Sequence, residues 1–177
     1  MIIVPLGTID IELFRDSLEA AVLMHGLQPL LSRDDLNLPT ATADERERKQ
    51  REAANLILSA RPLLKQLDEK WKFALIVTNY DLFVKGMHFV FGLANPQENI
   101  AVLSTARLTS WEDGLTPSRM KERILKEAAH EIGHLGKLTH CKDNTCLMSY
   151  ADSVDRVDEK LPILCDACKR DLRTSGR

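Results

Sequence analysis

The chain has 177 residues, 24 basic and 26 acidic, for a formal net charge of −2, with 44% hydrophobic and 28% charged residues. This is the composition of an ordinary soluble globular protein long enough for one domain with a real core, and its balance argues against a dedicated nucleic-acid binder or a polybasic membrane anchor. No stretch approaches the roughly 20 apolar residues of a membrane span, and the N-terminus lacks the basic region and apolar length of a signal peptide, so a cytoplasmic protein is expected.

In chain order, Met1 to Pro5 reads as an apolar strand. Asp10 to Met24 carries Ile11, Phe14, Leu18 and Val22 at helical spacing, with Asp10 as N-cap and Gly26 as the stop. Gln28 to Leu31 reads as a short strand, and Asn37 to Ala43, polar and containing Pro39, as a loop. Asp44 to Leu58 reads as one helix whose opening DERERKQRE presents a solvated face with i,i+4 pairs. Phe73 to Thr78, His88 to Leu93 and Ile100 to Thr105 are short runs rich in Val, Ile and Phe, and read as strands. Gly92 inside FVFGLAN marks a bulge or a close backbone approach. Thr116 and Pro117 open a helix as N-cap and first helical residue, running to about Gly136. A Cys-rich, loop-like segment follows to about Ala151. Strands interleaved with helices predict a layered α/β sheet protein.

Seven of the nine His and Cys residues lie between His130 and Cys168; only His25 and His88 fall outside, and these read as structural or surface histidines. His130 and His134 are four apart on the predicted helix, so one face presents both imidazoles. Glu131, about 100° around the helix, is placed to reach a metal-bound water without ligating the metal. His140 requires the chain to bend back after the helix. Three imidazoles leave a fourth position open, which is the design of a catalytic zinc site. Glu131 is expected to activate the water held there as general base and to pass its proton to a leaving amine.

Cys141, Cys146, Cys165 and Cys168 form two close-spaced pairs. Four thiolates suit a closed, structural zinc site; two disulfides and an iron–sulfur cluster are the alternatives. Such a site supplies folding energy to a segment with few large apolar residues.

Residues 130–148, HEIGHLGKLTHCKDNTCLM, together with Cys165 and Cys168, resemble the archaemetzincins, a branch of the metzincin metalloproteases. The resemblance implies a catalytic zinc on His130, His134 and His140 with Glu131 as base, and a structural zinc on the four cysteines, hence two Zn2+ per chain. It implies that Met148 occupies the Met-turn beneath the catalytic metal. It also implies a twisted, mostly parallel sheet with a backing helix and a zinc helix, with a small Cys-rich zinc-bound C-terminal subdomain. On this reading residues 1–137 carry the α/β part and residues 138–177 the Met-turn and Cys site, within one compact domain. FVFGLAN resembles the family's sheet edge, where an extended peptide adds as a strand. Tyr150, two residues after Met148, stands where some metzincins have a Tyr on the metal or the oxyanion, and an oxyanion role is the expectation.

Two features depart from the family pattern. Lys137 stands where the glycine after the second His belongs, with Gly136 one place earlier. Either Lys137 adopts a left-handed backbone at a cost of about 1–2 kcal/mol, or the turn starts one residue sooner. The spacing between Met148 and Cys165 is one residue short, a cheap loop change. The expected function is zinc-dependent hydrolysis of peptide bonds in short or unstructured substrates by a monomeric enzyme. The alternative is a non-catalytic zinc module that mediates protein interaction. A nucleic-acid role is disfavoured, because the basic residues of the tail are interspersed with acidic ones and form no stripe.

Overall fold

The computed structural model describes residues 1–32, 35–36, 43–67, 70–110 and 116–175. Three five-residue parallel strands form the centre: β1 (Ile2–Leu6), β4 (Ala74–Thr78) and β7 (Ile100–Ser104). Their near-continuous apolar sequences, IIVPL, ALIVT and IAVLS, are those of strands covered on both faces, and every residue in them is buried. The five-stranded order is β2-β1-β4-β7-β6, with β2 (Leu30–Leu31) at one edge and β6 (Gly92–Asn95) at the other. All neighbours are parallel except β6, which runs antiparallel to β7.

Alternation along the strands divides the interior into two layers. Ile3, Leu75, Val77, Ala101 and Leu103 pack in the layer formed with α1 (Arg15–Leu23) and α4 (Pro117–Leu135). Ile2, Val4, Ile76, Ile100 and Val102 face α3 (Ala53–Leu64), the helix backing the other side. The first layer also contains Cys146, Leu147, Met148, Val157, Leu164 and Cys168, so the Cys-rich tail shares its core with the sheet. The tail carries two helices, α5 (Val154–Glu159) and α6 (Asp166–Ser175), that the sequence pattern does not announce. Among the described residues no helix is long and apolar enough to cross a membrane.

Several local expectations are corrected. The first helix begins as a 3-10 turn over Ile11–Phe14, and Asp10 makes no side-chain cap bond. The stop at Gly26 holds, with φ +69°. The predicted loop at 37–43 lies outside the described residues except Ala43, which opens α2 (Ala43–Arg48).

The single helix expected over Asp44 to Leu58 is interrupted by β3 (Arg51–Glu52), which pairs with β5 (Leu82–Phe83). Tertiary bonds outweigh local propensity here. The Gln50 amide donates to Asp81 at 2.9 Å and to the His88 carbonyl at 3.0 Å. Glu45, far from lying on a solvated face, is buried and accepts from the Glu52 backbone N–H at 2.9 Å.

The strand expected over His88 to Leu93 starts at Gly92. Val90 contributes only an isolated bridge to Leu82, and the residues before β6 form a wall of the cleft described next.

Candidate metal centre and active-site cleft

Helix α4 begins as its sequence dictates. Pro117 stands in the first turn, and the Thr116 side chain accepts from the Arg119 N–H at 3.3 Å. Its far end is closed by a Schellman motif. The Lys137 N–H donates to the His134 carbonyl at 2.9 Å and the Leu138 N–H to the Gly133 carbonyl at 3.0 Å. Of the two placements the sequence left open, the chain takes the first: Lys137 has φ +65° and Gly136 has φ −75°. Lys137→Gly is therefore expected to raise stability by about 1 kcal/mol in denaturant unfolding, without changing metal content.

This stop turns the chain so that His140 joins the two helix histidines. The ring nitrogens of His130, His134 and His140 come within 4.8 Å of one another. His130 Nδ1 lies 3.0 Å from the Leu147 carbonyl, and His134 Nδ1 lies 2.7 Å from the Leu138 carbonyl. A carbonyl only accepts, so both Nδ1 atoms carry the proton and both Nε2 atoms expose lone pairs. Those two lone pairs face each other at 3.0 Å. The arrangement is repulsive unless a cation lies between them, and two corners of a tetrahedral zinc with bonds of about 2.05 Å stand about 3.3 Å apart. The donor set fits zinc. Burial lowers the pKa of all three histidines, most strongly at His130, where the Lys160 charge acts in the same sense. The rings are thus held neutral, as metal ligands require.

Glu131 is 5% exposed, and its Oε2 has no hydrogen-bond partner. Burial, reinforced by the negative charge of Glu127, pushes its carboxyl well above the usual range, against the opposing charge of Lys160. The close approach suggested by Gly92 is an approach to this side chain. A Cβ at position 92 would stand 2.6 Å from Glu131 Cγ and 2.7 Å from the Val102 carbonyl oxygen of β7. Gly92→Ala must displace either Glu131 or the edge strand. A fall in kcat/KM of roughly tenfold or more is expected, with a lower urea midpoint as the sign of strain in the edge strand.

Met148 is fully buried beneath α4, its sulfur so close to Gly133 that any Cβ there would collide with it. The turn is fixed by the Ser149 N–H on the Cys146 carbonyl at 2.9 Å, and the Cys141 N–H on the Met148 carbonyl at 2.8 Å ties it to the segment after His140 through an isolated bridge. Tyr150 is 46% exposed, with its ring 5.2 Å from that of His140. His25, read as structural, donates from Nε2 to the Ala129 carbonyl of α4 at 2.8 Å; His88 is exposed.

The four cysteines converge as free thiols with all Sγ atoms within 4.8 Å. The Cys141–Cys165 and Cys146–Cys168 sulfur separations are 3.7 and 3.8 Å. These are too long for disulfides and match the edge, about 3.8 Å, of a tetrahedron with Zn–S bonds of about 2.3 Å. Burial pushes the Cys146 thiol up, and the Cys165 N–H, which points at its sulfur at 3.3 Å, acts in the opposite sense.

The three histidines open onto a cleft of about 480 Å³, bounded on one side by β6 and the preceding Phe89–Phe91 segment and on the other by residues 137–140 with Tyr150 and Ala151. Two residues beside this site escaped the sequence reading. Glu127 lies one helical turn before Glu131 on the same face of α4, a spacing that could have revealed it. Lys160, which reads as one more basic residue of the tail, is completely buried, and its Nζ donates to Glu127 Oε1 at 2.8 Å.

A sequence profile described as Peptidase family M54 matches residues 65–174. The archaemetzincin of Aeropyrum pernix is 43% identical over 96 residues, which are 54% of this chain and 50% of that protein, so the chain spans about half the length of that relative. The archaemetzincin of Halobacterium salinarum is 32% identical over 173 residues, covering 95% of this chain and 96% of the other. The crystal structure of an archaemetzincin from Methanopyrus kandleri superposes with a TM-score of 0.82 at 29% identity, covering 99% of this chain and 94% of that one.

Proposed function

The chain belongs to peptidase family M54, the archaemetzincins, and from that membership we propose that it is a zinc metallopeptidase that hydrolyses peptide bonds with Glu131 as general base. The observation that carries this reading is the pair of Nε2 lone pairs of His130 and His134 facing each other at 3.0 Å, each ring locked through Nδ1 to a backbone carbonyl. His130, His134 and His140 would hold the catalytic zinc. When bound, that ion lowers the pKa of a water from 15.7 to about 7 and polarises a carbonyl.

The remaining roles fall to the chain's own groups. Glu131 takes a proton from the attacking water at its free Oε2 and returns it to the nitrogen of the leaving amine. Its raised pKa brings it nearer to neutrality, where a general base works best. Tyr150, exposed at the cleft beside His140, donates its phenolic hydrogen to the oxyanion. β6 is an edge strand whose outer side is unpaired among the described strands, so an extended peptide can add to it and cross the histidines. Strand addition selects unstructured segments.

Cys141, Cys146, Cys165 and Cys168 would hold a second, structural zinc. The functional division falls at 137/138, in the turn that follows the end of α4 at Leu135. Residues 1–137 supply sheet, helix and base, and residues 138–177 supply the third His, the Met-turn and the thiolates. A buried carboxylate oxygen without a partner costs stability and has no use in a purely structural zinc module, which disfavours a non-catalytic role. The test is zinc analysis of the purified chain followed by exposure to a peptide library read by mass spectrometry. Two zinc per chain and chelator-sensitive cleavage are expected; two zinc with no cleavage of any peptide would overturn the peptidase reading.

A further inference from the structure

Lys137 is the residue at which this chain leaves its family's pattern, and the structure places it at the cleft. Its backbone holds φ +65°, a left-handed conformation that glycine adopts without cost and lysine does not. Both flanking N–H groups are committed, Lys137 to His134 and Leu138 to Gly133, so the root of the side chain is fixed where the third ligand's loop begins. A residue held in a strained backbone at the rim of a binding cleft is a reason to look for a ligand.

The charge balance of the cleft says which ligand. Most of its wall is apolar, from Met87 and Phe89 to Leu93 and Leu138. The other two charged side chains lining it are buried: Glu127 is paired with Lys160, and Glu131 has the catalytic role proposed above. Lys137 lines the same cleft, is exposed, and makes no ion pair with a described acidic residue. The Lys137 ammonium is thus the one exposed charged side chain that a substrate meets there among the described residues, beside the zinc proposed on the three histidines.

We propose that Lys137 is a specificity-determining residue that selects peptides carrying a carboxylate, an Asp or Glu side chain or the C-terminus, at the subsite beside His140. The proposal rests on the peptidase reading for its biological meaning, but not for its measurement.

Binding separates the two. Dye-labelled peptides that differ only by Glu or Gln at one scanned position are titrated by fluorescence anisotropy against the zinc-loaded full chain carrying Glu131→Gln to prevent turnover. With Lys137 present, one position is expected to favour Glu roughly five- to tenfold at low ionic strength, and the preference shrinks at high salt. Lys137→Gly, which suits the turn, should remove the preference, and Lys137→Glu should reverse it. Equal affinity for Glu and Gln at every position, a preference that survives Lys137→Gly, or no binding of any peptide would overturn the proposal. Cleavage by the zinc-loaded chain with Glu131 intact is scored separately. Lys137-dependent binding without cleavage would sink the peptidase reading and leave the carboxylate subsite standing.

Discussion

Glu131→Gln is expected to lower kcat/KM on a cleavable peptide by about 10²–10⁴-fold, the range over which positioned acid–base catalysis contributes, while leaving the zinc content unchanged. The reason is geometric. Glu131 follows His130 on α4 and is buried, yet one carboxylate oxygen has no partner among the described residues. The side chain has been brought out of water next to Glu127 with nothing to compensate that oxygen, and both burial and the neighbouring charge push its pKa up. Replacing it by a neutral amide of the same shape removes the charge cost. The variant should therefore unfold at the same or a higher denaturant concentration as it loses activity, the trade expected where function and not folding dictates a residue. Measuring zinc content, urea midpoint and kcat/KM on one preparation decides the matter. Undiminished hydrolysis would remove Glu131 as the base, whereas loss of zinc with activity would show that the substitution had damaged the ligand set instead.

The chemistry of this site was legible in the sequence because it is local. A four-residue spacing puts His130 and His134 on one helix face wherever that helix forms, and α4 is announced by Thr116 and Pro117 at its start. The central strands were legible because both their faces are buried, which leaves an unbroken apolar run. What the sequence hid is what depends on distant partners. The charged run from Asp44 satisfies every local rule for a helix, but Gln50 reaches Asp81 and the His88 carbonyl, and Arg51–Glu52 pairs with Leu82–Phe83. The start of β6 was misplaced because Phe89 and Phe91, which look like strand residues, instead wall the cleft. At Lys137 local reasoning left two turns open. The two Schellman bonds and the His134 Nδ1 contact with the Leu138 carbonyl select one of them, because that turn also orients the His134 ring.

The same dependence on partners fixes His140. His140 sits between the stop of α4 and Cys141, whose N–H is bonded to the Met148 carbonyl and whose sulfur belongs to the four-cysteine cluster. The position of His140 is therefore set from both sides, by a helix end and by the Cys-rich core. A metal held by the four cysteines, as proposed above, would thus help to set the geometry of the three histidines through the His140–Cys141 peptide.

Lys160→Met is expected to cost about 3–5 kcal/mol of stability, the loss typical when one partner of a buried ion pair is removed. Lys160 is fully buried and Glu127 is 3% exposed, and the ammonium lies 2.8 Å from the carboxylate. The pair joins the tail to α4 beside a second, more accessible junction, where Arg123 grips Asp158 with two bonds of 2.8 and 2.6 Å. In the native chain burial raises the pKa of Glu127, opposed by the charges of Lys160 and Lys126. Without Lys160 the opposition weakens and the folded pKa rises further, so folding then takes up a proton that the unfolded carboxyl has released. A group whose folded pKa lies above its unfolded one loses stability as pH rises between the two. The deficit relative to the native chain should thus be smallest near the ordinary carboxyl pKa and grow toward neutral pH, a trend that urea unfolding over a pH series reads directly. Because the deficit is a difference between two chains with the same ligands, loss of zinc at the acid end affects both. The double variant Lys160→Met/Glu127→Leu removes both charges and should recover most of the lost stability, since apolar groups of similar volume replace a desolvated pair at little cost. A double variant as unstable as the sum of the two single ones would mean that Lys160 stabilises the tail through packing of its stem, and that the pairing with Glu127 is incidental.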